Sequence, residues 1–162
     1  MSITDEYHKG GAERWRILIV TRLLWAVAFI APLVMGAVYF AVGHRGAVQT
    51  GRFVEAGRTV LYINFALAAL MLPVGLFVRN QCYKRNWRAE AVTPQGYLFG
   101  NVMLLAICEG LVILSLVNVF LNGALFPAGV PAAVVAAVHL LNFPHGGPML
   151  GHGGCLPALE HR

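Results

Sequence analysis

The sequence predicts an all-α integral membrane bundle of four transmembrane helices, and three observations carry that prediction. First, 58% of the 162 residues are hydrophobic and 12% are charged, with a mean hydropathy of +0.67, whereas soluble domains carry about 25% charged residues. Second, four stretches approach the roughly 20 apolar residues that a spanning helix needs: about 17–42, 59–78, 98–121 and 124–143. Third, Lys and Arg are sorted between the connections in the way that sets orientation in membranes. The length bounds the chain to one domain. The composition excludes a soluble enzyme, a disordered tail and a free nucleic-acid binder, so the first expected partner is the lipid bilayer.

The elements follow in chain order. Residues 1–16 form a polar arm of mixed charge, expected on the cytoplasmic side. The first span is too long for the core of a cleavable signal and reads as a retained helix. The second ends in Val78-Arg79-Asn80-Gln81, and the loop Asn80 to Gln95 carries Lys84, Arg85 and Arg88. The third is followed by the uncharged turn at Asn122-Gly123, which predicts a tight antiparallel hairpin with the fourth. Pro127 and Pro131 open the fourth span and Pro144 closes it, as proline does at helix starts and stops. Residues 144–162 read as a Gly/His-rich tail.

Lys9, Arg14, Arg16, Arg22, Arg79, Lys84, Arg85 and Arg88 fall on one side, and Arg45, Arg52 and Arg58 on the other. This bias places both termini in the cytoplasm, and the expected location is a bacterial cytoplasmic (inner) membrane. The net charge of +5 is then a topology record rather than a binding surface. Trp15, Trp25, Trp87, Tyr83 and Tyr97 gather at the basic side and predict an interfacial aromatic belt.

One acid lies inside a span. Glu109 falls near the centre of 98–121, where a charge costs at least about 2.5–3.5 kcal/mol and the uncharged acid is the cheapest state. It is the candidate ion- or proton-binding residue. Asn101, Cys108, Ser115 and Asn122 recur every seventh position with Asn118 beside them, a polar stripe that reads as the face packed on neighbouring helices. Glu109 points away from that stripe, among Val102, Leu105, Val112, Ile113, Leu116 and Phe120. Three roles stay open for it: a structural hydrogen bond to a backbone carbonyl or Asn64, proton handling, or a contact with a partner subunit.

The run Leu104-Leu-Ala-Ile-Cys-Glu-Gly-Leu-Val-Ile-Leu-Ser-Leu-Val-Asn-Val-Phe-Leu resembles the acid-bearing second helix of the ATP synthase c subunit. The likeness extends over about residues 60–121, where a helix and a basic loop precede the acid-bearing helix. The resemblance implies that Glu109 matches the family's ion-binding carboxylate. The second span departs from the pattern: it reads Leu-Tyr-Ile-Asn-Phe with a proline at Pro73, where the family has alternating small residues.

His139 is the histidine well inside a span, a candidate ligand for haem or a chlorophyll-type pigment, read first as a helix-packing residue. The tail brings His145, Met149, His152 and Cys155 within eleven residues, donors suited to copper or zinc, though it reads first as a surface segment that docks on a partner or on headgroups. No cofactor is firmly implied. Cys82, Cys108 and Cys155 form no C-x-x-C pair, which argues against a disulfide framework. No phosphate loop, Ser/His/Asp set, H-E-x-x-H or nucleotide fingerprint occurs. The expected function is non-catalytic: an accessory or structural membrane subunit that packs on partner membrane chains or on copies of itself. The alternatives are a c-type proteolipid-like ion handler using Glu109, and a subunit holding a haem, pigment or metal.

Overall fold

A computed structural model describes residues 3–42, 51–88, 91–122 and 126–150. Five helices and one short ladder follow in order: α1 (Ile3–Val42), α2 (Gly51–Arg85), β1 (Trp87–Arg88), β2 (Ala91–Val92), α3 (Pro94–Asn122), α4 (Val130–Leu141) and α5 (Gly147–Leu150). Stretches within α1, α2 and α3 are long and apolar enough to cross a membrane. All three helices run past the apolar stretches read from sequence, because their polar flanks continue as helix. Pro32 and Pro73 lie inside α1 and α2, a placement that membrane helices tolerate.

The fourth apolar stretch differs from its expectation. Regular helix covers only the 12 residues Val130–Leu141, about 18 Å at 1.5 Å per residue, against a hydrocarbon core of about 30 Å. Pro131 sits in its first turn, where the missing N–H would be unpaired anyway. Pro127 instead belongs to the preceding turn, its carbonyl accepting from Val130 N–H at 3.1 Å. Residues 123–125 lie outside the described residues, so the expected Asn122-Gly123 turn does as well.

α3 is the centre of the molecule and packs against α1, α2 and α4. Leu104, Cys108, Leu111 and Val112 of α3 meet Ala68 and Leu72 of α2 and Val135 of α4 in one buried cluster. Their i, i+4, i+7 spacing is the face a packed helix presents. A second cluster closes the basic end, where Leu18 of α1, Tyr83 of α2, Val92, Tyr97 of α3 and Met149 of α5 converge.

The basic loop is not open chain. Asn86 ends α2, its Nδ2 donating to the Cys82 carbonyl at 2.9 Å, and its own carbonyl accepts from Thr93 N–H at 2.9 Å. β1 and β2 pair antiparallel, Trp87 opposite Val92 and Arg88 opposite Ala91, a small addition to the all-α prediction. Thr93 caps α3 by accepting from Gly96 N–H at 3.3 Å, with Pro94 as the first helical residue, the usual N-terminal arrangement.

Two further expectations are corrected at this end. Tyr83 and Tyr97 do not form an interfacial belt: both are buried and their rings stack, centroids 5.7 Å apart. Trp25 turns half inward, and Trp15 and Trp87 remain exposed. The first part of the tail is not a surface segment either. Gly146 takes φ +85°, a conformation glycine adopts without steric cost, and its N–H donates to Tyr97 Oη at 3.1 Å. α5 follows, with Met149 fully buried.

Candidate functional site

Four members of the polar stripe on α3 are buried, with Ser115 and Asn118 fully enclosed. Asn101 Nδ2 donates to Tyr83 Oη at 2.7 Å and to the Tyr97 carbonyl at 2.8 Å. Ser115 Oγ donates to the Leu111 carbonyl at 2.9 Å and accepts from Asn64 Nδ2 at 2.8 Å. Asn64 is thus engaged with Ser115 rather than with Glu109. Its Oδ1 is buried with no hydrogen-bond partner among the described residues. Cys108 lies buried in the core cluster as a free thiol. The side chain of Asn122 lies outside the described residues.

Glu109 stands near the middle of α3, on a different face. It is half-buried, next to exposed Ala106 and Gly110, with Val102, Ile113 and Phe120 exposed along the same side. Leu105 and Leu116 are half-buried and Val112 is buried, so the carboxyl sits at the edge between packed and open surface. Nothing crowds Gly110: a Cβ there would meet no atom within 4 Å. Among the described residues the carboxyl has no hydrogen bond or ion pair. Arg22 and Arg79, the cations set furthest into the spans, are committed elsewhere. Arg22 Nε donates to the Pro144 carbonyl at 3.2 Å, and Arg79 Nη1 donates to Asn142 Oδ1 at 2.6 Å.

His139 is packed rather than open. It is 5% exposed, and its ring lies 5.1 Å from that of Trp25 and 5.6 Å from that of Phe29. Its Nε2 is 3.3 Å from the Trp25 carbonyl, while Trp25 Nε1 donates to the His139 carbonyl at 3.0 Å. This reciprocal pair ties α1 to α4. Asn142 does not bond the imidazole: its Nδ2 donates to the Val138 carbonyl at 2.7 Å. A small cavity beside the pair is lined by Thr21, Trp25, Asn101, Cys108, His139 and Asn142, among others.

Of the four candidate metal donors in the tail, the two that are described, His145 and Met149, are not brought together. His145 is exposed and its ring sits edge-on to Phe143 at 5.3 Å, whereas Met149 is enclosed in the core at the basic end. His152 and Cys155 lie outside the described residues. Among the described residues no three His, Cys, Asp or Glu side chains gather where they could hold a metal ion.

The sequence reading missed the clasp that ends α4. Trp25, Arg22 and Arg79, from two helices, converge on His139, Asn142 and Pro144. The signal available was the closeness of Arg22 and Trp25, one turn apart within an apolar span. No known family model, curated protein or solved structure matches the chain.

Proposed function

We propose that this chain is a non-catalytic subunit of an inner-membrane assembly, crossing the bilayer four times with both termini cytoplasmic, and that it packs on partner membrane chains through the Glu109 side of α3. The observation that carries this reading is the half-exposed carboxyl, without a partner among the described residues, near the middle of a helix long and apolar enough to span. A polar group facing hydrocarbon costs several kcal/mol unless something hydrogen-bonds it, and a group from another chain would do so. Exposed Ala106 and Gly110 flank it at the small-xxx-small spacing that lets membrane helices approach closely. The topology is supported by the end of α4 lying beside Arg22 and Arg79, which returns the chain to the end where α1 carries its basic residues.

The test is purification of the full chain from its membrane in mild detergent, followed by mass spectrometry of what travels with it. The expected result is a complex larger than the monomer that Glu109→Leu disperses and Glu109→Gln partly retains. A wild-type monomer indistinguishable from Glu109→Leu overturns the reading. Ion handling by Glu109, implied by the c-subunit resemblance, is the second reading, favoured by the same open carboxyl. It predicts that dicyclohexylcarbodiimide labels Glu109 faster as pH falls, and pH-independent labelling removes it. Reporter fusions at each terminus test the orientation.

A further inference from the structure

The basic end carries its arginines and lysine in two tiers. The outer tier, Arg14, Arg16, Lys84, Arg85 and Arg88, is exposed. The inner tier is Arg22 of α1 and Arg79 of α2, both half-buried. Arg22 lies six residues beyond Arg16, and Arg79 six before Arg85, so each sits about 9 Å deeper along its helix.

The inner pair converges on one short segment. Arg22 Nε holds the Pro144 carbonyl, with its guanidinium 5.7 Å from the centre of the Phe143 ring. Arg79 Nη1 holds Asn142 Oδ1, with its guanidinium 5.8 Å from the Tyr83 ring. Two full positive charges therefore flank residues 142–144. Neither has a carboxylate partner among the residues whose side chains are described, where the acid of this end is Glu13, exposed and nine residues from Arg22 on the same helix. Each of these bonds uses one of the five N–H donors of a guanidinium, and Arg79 Nε is buried with no hydrogen-bond partner among the described residues. Two cations held below the solvated tier without a counter-ion leave charge and donors unmatched, and arginine forks match the oxygens of a phosphate.

We propose that Arg22 and Arg79 form a site for a phosphate anion, and that the phosphate is the headgroup of an anionic membrane lipid lying against the α1, α2 and α4 ends. The lipid source is favoured over free phosphate by depth. The pair sits below the exposed charges, where a headgroup phosphate anchored by its acyl chains is concentrated. Exposed Trp15 and Trp87 at the same end suit the headgroup level, and basic sites between membrane helices are known binders of anionic headgroups. The proposal does not depend on what α3 meets through Glu109.

The test uses the full chain in nanodiscs of phosphatidylcholine with and without phosphatidylglycerol, followed by native mass spectrometry after detergent exchange. The wild type is expected to retain phosphatidylglycerol, and R22Q and R79Q to lose about tenfold in retention, the scale of one charge-assisted contact. R85Q, in the solvated tier, is expected to retain as much as the wild type. R79K keeps the charge without the fork and guards against misfolding of R79Q; intermediate retention is expected. Equal loss in R85Q and R79Q would mean diffuse surface charge and overturn the site. So would a wild type that retains no phosphatidylglycerol. Inorganic phosphate at millimolar concentration displacing the lipid from the detergent-exchanged protein would overturn the lipid assignment in favour of a soluble phosphate.

Discussion

The two ends of α3 are held by different physics. At its start, Tyr97 and Asn101 sit in a knot of aromatic rings and hydrogen bonds with Tyr83, Gly146, Leu18 and Met149. Along the side that carries Glu109, the helix is exposed and apolar at Val102, Ile113 and Phe120. The first region satisfies its polar groups within the chain. The second leaves a carboxyl without a partner among the described residues. The contrast teaches that the start of α3 is closed by contacts within the chain, while its Glu109 side is left open, and the proposed partner contact rests on that difference.

The largest expected effect comes from emptying the closed end. Leu18 is 1% exposed among Tyr83, Val92, Tyr97 and Met149, so Leu18→Ala leaves a cavity and is expected to cost about 2–5 kcal/mol. Leu33→Ala, on an exposed part of α1, is expected to change stability by less than about 0.5 kcal/mol. Unfolding of the purified chain in detergent, followed by tryptophan fluorescence, measures both. Equal costs would erase the contrast between the regions.

Two glycines of α3 sharpen it by sign. A Cβ at Gly100 would lie 2.8 Å from the Tyr83 ring, and that ring is held by stacking and by Asn101. Alanine inside a helix normally gains up to about 1 kcal/mol over glycine. Gly100→Ala is nevertheless expected to lose about 1–3 kcal/mol through overpacking. Gly110→Ala, with open space around it, is expected to gain the usual fraction of that helical preference. The same unfolding measurement reads both, and a gain at Gly100 would mean that Tyr83 yields easily.

What the sequence disclosed follows the same division. The three long helices were legible because hydropathy over some 20 residues is a strong signal, and seven-residue spacing was enough to pick out Asn101, Cys108 and Ser115, with Asn118 beside them, as one side of α3. Boundaries were less legible. Leu98 opens the apolar run of the third span, whereas Thr93-Pro94 is a capping signature that sets the start of the helix. The inward turn of Tyr83 and Tyr97 was hidden because an aromatic near a basic loop fits both a belt and a core. Only the i, i+4 pairing of Tyr97 with Asn101 hints at the second. The docking of residues 144–150 was illegible, since five glycines and two histidines between Pro144 and Cys155 give no hydrophobic period.

A smaller effect tests how much the stripe contributes. Asn64 and Ser115 join α2 to α3 by one buried hydrogen bond, and such bonds between membrane helices average only about 0.6 kcal/mol. A double-mutant cycle with Asn64→Ala and Ser115→Ala is expected to return a coupling of that size. A coupling above about 2 kcal/mol would make the stripe, rather than the basic end, the main polar fastening of the bundle.

The smallest effect on the chain alone is expected at Glu109. Its carboxyl makes no bond within the described residues, so Glu109→Leu removes no internal contact, and the purified monomer should unfold within about 0.5 kcal/mol of the wild type. The same substitution is expected to disperse the assembly in the membrane, because it deletes the polar group that a partner helix would bond. Stability that is unchanged alone while association is lost separates a contact residue from a structural one. If the isolated chain instead loses more than about 1 kcal/mol, Glu109 belongs to the fold, and the open side of α3 becomes ordinary lipid-facing surface.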